Sequence, residues 1–401
     1  MNTYIQLFKS EPILQRLSLI QLISYFGAWF SNIAIYTLLL QMEVSASVIS
    51  FVAMLHFLAG VVQAPFSGPI IDSFKAKKLM LVTILVEFVA TFFLIFVHSL
   101  SDLTFLYFLI FIKMAAASFY FTTEMSLLPK ILKANKLQKA NEMHSVIWSF
   151  SYTLGMSLGG FIVYAFGIKF AFLFDSLMFL SAFILLFRLK IEVSIVKKSE
   201  NLFQMMQDTF RYLKKEKLAL QLMILHAFVG LTAFDALVAL MVDRYYAGIV
   251  ALSLALGLLH AARAIGLVIG PLVLSKYLKN KVVVYIFMAQ GLAVFVWALV
   301  MSNFYLSLFA SVLVGLFTTT LWSYTYTLLQ KNIEEKYYGR IVAYNDMLFL
   351  SSAAFTSFMI GYLATNDFSL EQITMFIAGG FIVGGLYFVW ILKNNSVEEI
   401  I

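Results

Sequence analysis

Twelve apolar runs, each close to the roughly 20 residues that a bilayer crossing needs, follow one another along this chain of 401 residues. They lie at 17–41, 46–69, 79–97, 104–128, 142–166, 169–190, 218–242, 248–274, 282–301, 304–329, 341–365 and 370–392. A backbone in hydrocarbon must satisfy its polar groups within its own segment, so runs of this length read as helices. The chain is 62% hydrophobic and 12% charged, against about 45–50% and about 25% in soluble domains. No soluble fold of this length could bury that excess. The fold expected is an all-α membrane protein with twelve transmembrane helices.

The gaps between runs alternate in character. One set is basic, with Lys75, Lys77 and Lys78, then Lys130, Lys133, Lys136 and Lys139, then Lys276, Lys279 and Lys281, then Lys331, Lys336 and Arg340. The other set holds only Lys169 and Arg244. With Lys113 and Arg263 inside runs, 24 of the 28 Lys and Arg fall on the basic side (28 − 4 = 24). The positive-inside rule places that side and both termini in the cytoplasm, which an even number of spans allows. The +7 net charge is thus a topology signal, and no nucleic acid is expected as a partner. Absence of cysteine removes disulfides and thiolate metal sites. The N-terminus carries no h-region with a small-residue cleavage site, so no removed signal peptide is expected.

The longest polar stretch, 191–217, divides the chain into six-span bundles at 1–190 and 218–401. Apolar residues from Phe203 to Leu213 recur at helical spacing, which predicts a cytoplasmic surface helix. Gly68-Pro69 recurs as Gly270-Pro271 and Gly159 recurs as Gly361, both 202 residues on (270 − 68, 361 − 159). Parallel repeats of this kind point to two related halves with a site between them near the midplane.

Charges within spans are costly in lipid and so face the interior. They are Glu87, Lys113, Glu124, Asp175, Asp235 and Arg263, with Asp346 near an end; His56, His226 and His260 also lie in spans. Lys113 and Asp235 come from opposite halves and sit at matched depth, roughly 10–14 Å from the outer boundary at 1.5 Å per residue. They are expected to pair, with Asp235 as the proton carrier and Glu124 next in line. Glu87 and Asp175 read as structural. Span ten is polar from Thr318 to Thr327, too polar to face lipid all round. Ser151, Gly155 and Gly159 form a small-residue face in span five, with a counterpart at Ala262, Gly266 and Gly270 in span eight, and the two are expected to pack together.

The loop Ser67-Gly68-Pro69-Ile70-Ile71-Asp72-Ser73-Phe74-Lys75-Ala76-Lys77-Lys78 resembles the loop between spans two and three of the major facilitator superfamily. Gly68 allows close approach, and Asp72 suits a neighbouring helix N-terminus, expected at Gly339 and Arg340. Lys75 and Lys78 belong to the basic cluster. Gly155-Met156-Ser157-Leu158-Gly159-Gly160 resembles the antiporter motif of that superfamily, with Met156 in place of its proline. Lys113 stands where the span-four motif has arginine, and lysine titrates more readily when buried. Ala140-Asn141, Phe170-Ala171-Phe172-Leu173 and Tyr338-Gly339-Arg340 resemble one branch, the macrolide-efflux proteins and the enterobactin exporter.

The resemblance implies that spans one, four, seven and ten line the cavity. Its expected lining is Gln21, Tyr25, Asn32, Tyr36, Tyr120, Thr319, Trp322, Ser323 and Tyr326, with Lys113, Asp235, Glu124 and Arg263 as the charges. Hydroxyls and aromatics with few charges suit an amphipathic organic substrate. Neither a Walker loop nor HExxH nor GxSxG occurs, so no catalysis, metal or cofactor is expected. The reading is a proton-coupled exporter of an amphipathic small molecule, such as a drug or a siderophore-like compound. It would work as a monomer in the cytoplasmic membrane, with lipid, substrate and protons as its partners. Import or facilitated diffusion of a polar metabolite and lipid flipping remain alternatives.

Overall fold

The computed structural model describes residues 7–132, 134–191, 202–274, 277–334 and 337–397. Among them twelve helices are long and apolar enough to cross a membrane. The first, Pro12–Gln41, starts with proline at its N-terminal position, where the missing N–H costs nothing. Ala46–Ser67, Ala76–Phe96, Leu100–Ile131, Val146–Phe166 and Ile168–Arg188 complete the first six spans. Lys217–Tyr246, Leu252–Leu274, Asn280–Val300, Phe304–Lys331, Arg340–Thr365 and Leu370–Asn394 are the second six. Spans four and ten run beyond the expected ends, at 100–103 and 129–131 for span four and at 330–331 for span ten. The polypeptide is an all-α, multi-pass integral membrane protein.

Both sets of six repeat one neighbour pattern. Span one packs on span five, three on four, and three on six; seven packs on eleven, nine on ten, and nine on twelve. The compact units are not the two sequence halves, however. One comprises 1–44, 62–198 and 251–258, and the other 45–61, 199–250 and 259–401. Spans two and eight therefore each begin in the unit that does not hold the rest of their helix. Two close approaches account for this. Gly361 lies against Ser50 and the Ala46 carbonyl, and a Cβ on Gly160 would stand 2.9 Å from the Gly257 Cα.

Span five does meet span eight, but not by the expected face. Gly155 lies against Trp29 and the Phe26 carbonyl, and Gly159 against Phe30, all on span one. Gly266 and Gly270 fit against Leu316 of span ten. The face that meets span eight is Met156 and Gly160, one residue further round. One residue is a 100° rotation on a helix of 3.6 residues per turn, so a one-step error in phase changes the neighbour. Replacing Gly266 by leucine is expected to force span ten to shift, because a Cβ there would lie on the Val312 carbonyl and 2.7 Å from the Leu316 nitrogen. The cost expected of such overpacking is about 1–3 kcal/mol, read as a lower melting temperature in detergent. Gly379→Leu, where a Cβ meets nothing within 4 Å, should melt like the parent.

Span seven is interrupted. An α-helix over Lys217–Ala227 passes into a 3-10 turn, Phe228–Thr232, then restarts at Asp235–Met241 and ends in a π-turn, Val242–Tyr246. Gly230 at the break sits 2.8 Å by its would-be Cβ from the Phe349 carbonyl and Ser352 of span eleven. The linker helix, Leu202–Lys215, buries Thr209, Tyr212 and Leu213. Tyr212 stacks on Tyr337 at 4.2 Å, and its hydroxyl accepts from the Glu334 amide at 3.1 Å. The surface-helix expectation thus meets a docked helix; residues 192–201 of the expected linker lie outside the described residues.

Candidate functional site

In the first unit, spans one, four and six bring Ser31, Lys113 and Asp175 together. The Lys113 ammonium donates to the Asp175 carboxylate at 2.9 Å, with side-chain exposures of 6% and 0%. The Ser31 hydroxyl donates to the same carboxylate oxygen. Glu87 of span three is buried and lies within electrostatic reach of both charges. Phe179 presents its ring 5.3 Å from the ammonium. Lys113 is therefore paired with Asp175, where the sequence reading expected Asp235 as its partner. Depth along a span says nothing about which way a side chain points around its helix.

A second cluster in the same unit surrounds Glu124. Its carboxylate is buried, one oxygen has no hydrogen-bond partner, and no basic side chain among the described residues lies within ion-pair distance. Tyr25 and Tyr120 both lie within reach of its charge. Gln21, buried on the same face of span one, hydrogen-bonds the His144 ring. Tyr25 meets that ring edge-on at 6.1 Å. His144 escaped the sequence reading because Asn141 and Glu142 beside it make the start of span five look interfacial. Further along span one, Asn32 reaches the Met156 sulfur at 4.0 Å, and Tyr36 is fully buried.

The second unit holds Asp235, His260 and Arg263. Asp235 occupies the first turn of the restarted half of span seven, where a carboxylate suits the exposed amides of a helix start. His260 Nε2 stands 3.9 Å from its Oδ1. Arg263 donates to the Thr232 carbonyl at 3.0 Å and lies 5.1 Å over the Phe234 ring. That carbonyl is one the break removes from the α-helical ladder, and the Phe234 amide also donates to it, at 2.9 Å. Arg263 thus adds a charged donor to the backbone at the break.

Span ten presents an aromatic ledge. The Trp322 and Tyr326 rings stack at 5.0 Å; Trp322 is 40% exposed. Ser323 is exposed and Thr319 half-buried. Beneath them His226 of span seven is fully buried, donating to or accepting from Thr325 at 2.8 Å. Its ring centroid lies 5.8 Å from that of Trp322, 5.4 Å from Tyr326 and 5.5 Å from Phe349.

Among the other expected residues, Lys75 and Lys78 are exposed and Arg340 lies 5.9 Å over the Tyr337 ring. The side chains of Gly68, Asp72 and Gly339 lie outside the described residues. Among the described residues no three His, Asp or Glu side chains converge as a metal centre requires.

Residues 17–355 match the family model described as Major Facilitator Superfamily. A Bacillus subtilis (strain 168) protein named "Uncharacterized MFS-type transporter YfiS" is 29% identical over 183 residues, which are 45% of this chain and 43% of that relative. The chain therefore matches less than half of that relative's length. The solved structure of a D-xylose-proton symporter superposes with a TM-score of 0.76 at 11% identity, over 96% of this chain and 98% of that one. The nucleoside transporter NupG does so with a TM-score of 0.71 at 11% identity, over 96% and 100%. At such identities the likeness is one of fold.

Proposed function

Because the chain belongs to the Major Facilitator Superfamily, and so is a membrane transporter rather than an enzyme, we propose that it is a proton-coupled exporter of an amphipathic small molecule that works by alternating access. The observation that carries the substrate class is the stacked, accessible Trp322–Tyr326 pair above buried His226. Flat apolar faces with one or two polar tips favour a ligand built the same way. The charges nearby favour no strongly ionic substrate. Export rests on the glycine-rich segment of span five, Gly155, Gly159 and Gly160, and on the resemblance to the efflux branch. Both termini would face the cytoplasm.

The proton is assigned to Glu124. A buried carboxylate with no counter-ion bears the full cost of its charge, so binding and releasing a proton there changes the energy of the site the most. Tyr25 and Tyr120 beside it line the same cluster, which lets substrate and proton compete. Asp235, beside His260, is the second carrier, and Lys113 serves as a positioning residue held by Asp175.

Accumulation of amphipathic compounds in inverted membrane vesicles under an imposed pH gradient, abolished by a protonophore, is the expected result. Accumulation only in right-side-out vesicles would instead assign import. Insensitivity to the protonophore would remove the proton. Within this assay Trp322→Ala is expected to raise the apparent KM roughly tenfold, the size of a lost aromatic contact, with little change in the maximal rate.

A further inference from the structure

A small cavity of about 240 Å³ opens where the start of span one meets the end of span six, lined by Pro12, Ile13, Arg16, Arg188, Leu189 and Lys190. Three of its six lining residues are cationic and none is acidic. Arg16, Arg188 and Lys190 are all exposed, and none has an ion pair among the described residues. Glu11, beside Pro12, is held by Lys136 at 2.6 Å, and Glu192, two residues past Lys190, lies outside the described residues. Span one has no side-chain cap at its N-terminus, so its first amides add to the positive potential. A fourth cation stands close: the Lys77 ammonium donates to the Phe187 carbonyl at 2.8 Å.

We propose that this cavity binds the phosphate of an anionic phospholipid. The ligand chemistry is a phosphate monoanion, matched by two guanidinium groups that can each make paired contacts. The volume falls below the roughly 300–1,000 Å³ of drug-sized sites, so a headgroup fits and a transported organic molecule does not. Lipid is favoured over free phosphate by what flanks the cavity. Leu19 is 47% exposed, Ile184 43% and Leu185 37%. Leu19 lies one turn beyond Arg16, and Ile184 and Leu185 one turn before Arg188, so each continues the face of its arginine into the span. An acyl chain anchored at the cavity has that apolar track to lie on. Basic pockets at the ends of transmembrane helices are where anionic headgroups are held.

Native mass spectrometry of the full-length protein in detergent tests this, with phosphatidylglycerol, phosphatidylcholine and glycerol 3-phosphate offered separately. Phosphatidylglycerol should be retained as one copy per chain, well above phosphatidylcholine. The R16Q/R188Q double variant should lose that retention roughly tenfold or more, while R16K/R188K, which keeps the charge, should hold most of it. An unchanged melting temperature in both variants separates lost binding from lost folding. Equal retention by the parent and R16Q/R188Q would overturn the site. Retention of glycerol 3-phosphate as firmly as the lipid would overturn the lipid assignment, leaving a soluble phosphate as the ligand.

Discussion

Glu124→Gln is expected to abolish transport driven by a pH gradient while leaving substrate exchange at equilibrium close to the parent. The amide has the size of the protonated carboxyl but can neither take up nor give back a proton, so it should freeze the cluster of Tyr25, Tyr120, Gln21 and His144 in one charge state. Binding contacts survive; the link to the gradient does not. Counterflow of labelled substrate and gradient-driven uptake, measured on the same vesicles, separate the two. If uptake persists in Glu124→Gln but fails in Asp235→Asn, the proton travels through the second unit, beside His260. If both variants keep it, proton coupling as proposed is wrong.

Lys113→Met should produce the largest loss of stability of any single substitution considered. It would leave the Asp175 carboxylate fully buried with only Ser31 to hydrogen-bond it. Breaking a buried pair by removing one partner costs about 3–5 kcal/mol, or a fall in melting temperature of roughly 10 °C. The double variant Lys113→Met with Asp175→Leu should regain most of that loss, since replacing both charges removes the orphan. A Lys113→Met protein that melts like the parent would show that Asp175 readily finds another partner or a proton. The double variant also reports on function: gradient-driven transport that survives in it would confine this pair to architecture.

How much of this could be read from the residues depends on whether the property is local. Span number was legible because apolar length is local, and each run stands alone between basic or short loops. The same is true of the polar stretch in span ten, which did hold the aromatic ledge. Pairing was not legible. Counting residues along the spans paired Lys113 with Asp235, yet Asp175 lies on the face that Lys113 presents, and that choice depends on helix phase and on which spans are neighbours. The small-residue faces failed for the same reason, by one step of rotation. The break in span seven was hidden by hydropathy: Phe228–Phe234 is as apolar as its surroundings, and no proline marks it. Only Gly230, Thr232 and Asp235 in succession hinted at it. Arg263 was legible as an interior charge, but its hydrogen bond to the Thr232 carbonyl was not, because that carbonyl is turned out of the α-helical ladder only at the break.

The interruption of span seven has a mechanical consequence. A continuous helix is a stiff rod that passes tilt and axial rotation from one end to the other. Between Ala227 and Asp235 the α-helical ladder gives way to the 3-10 turn Phe228–Thr232, so span seven is two short α-helical rods with a joint. Gly230, keyed into span eleven, fixes the joint in place, and Arg263 bolts it from span eight through the Thr232 carbonyl. The segment carrying His226 can then tilt under the aromatic ledge without turning the segment that carries Asp235. Torque generated at one end of the span stops at the joint unless Arg263 carries it across.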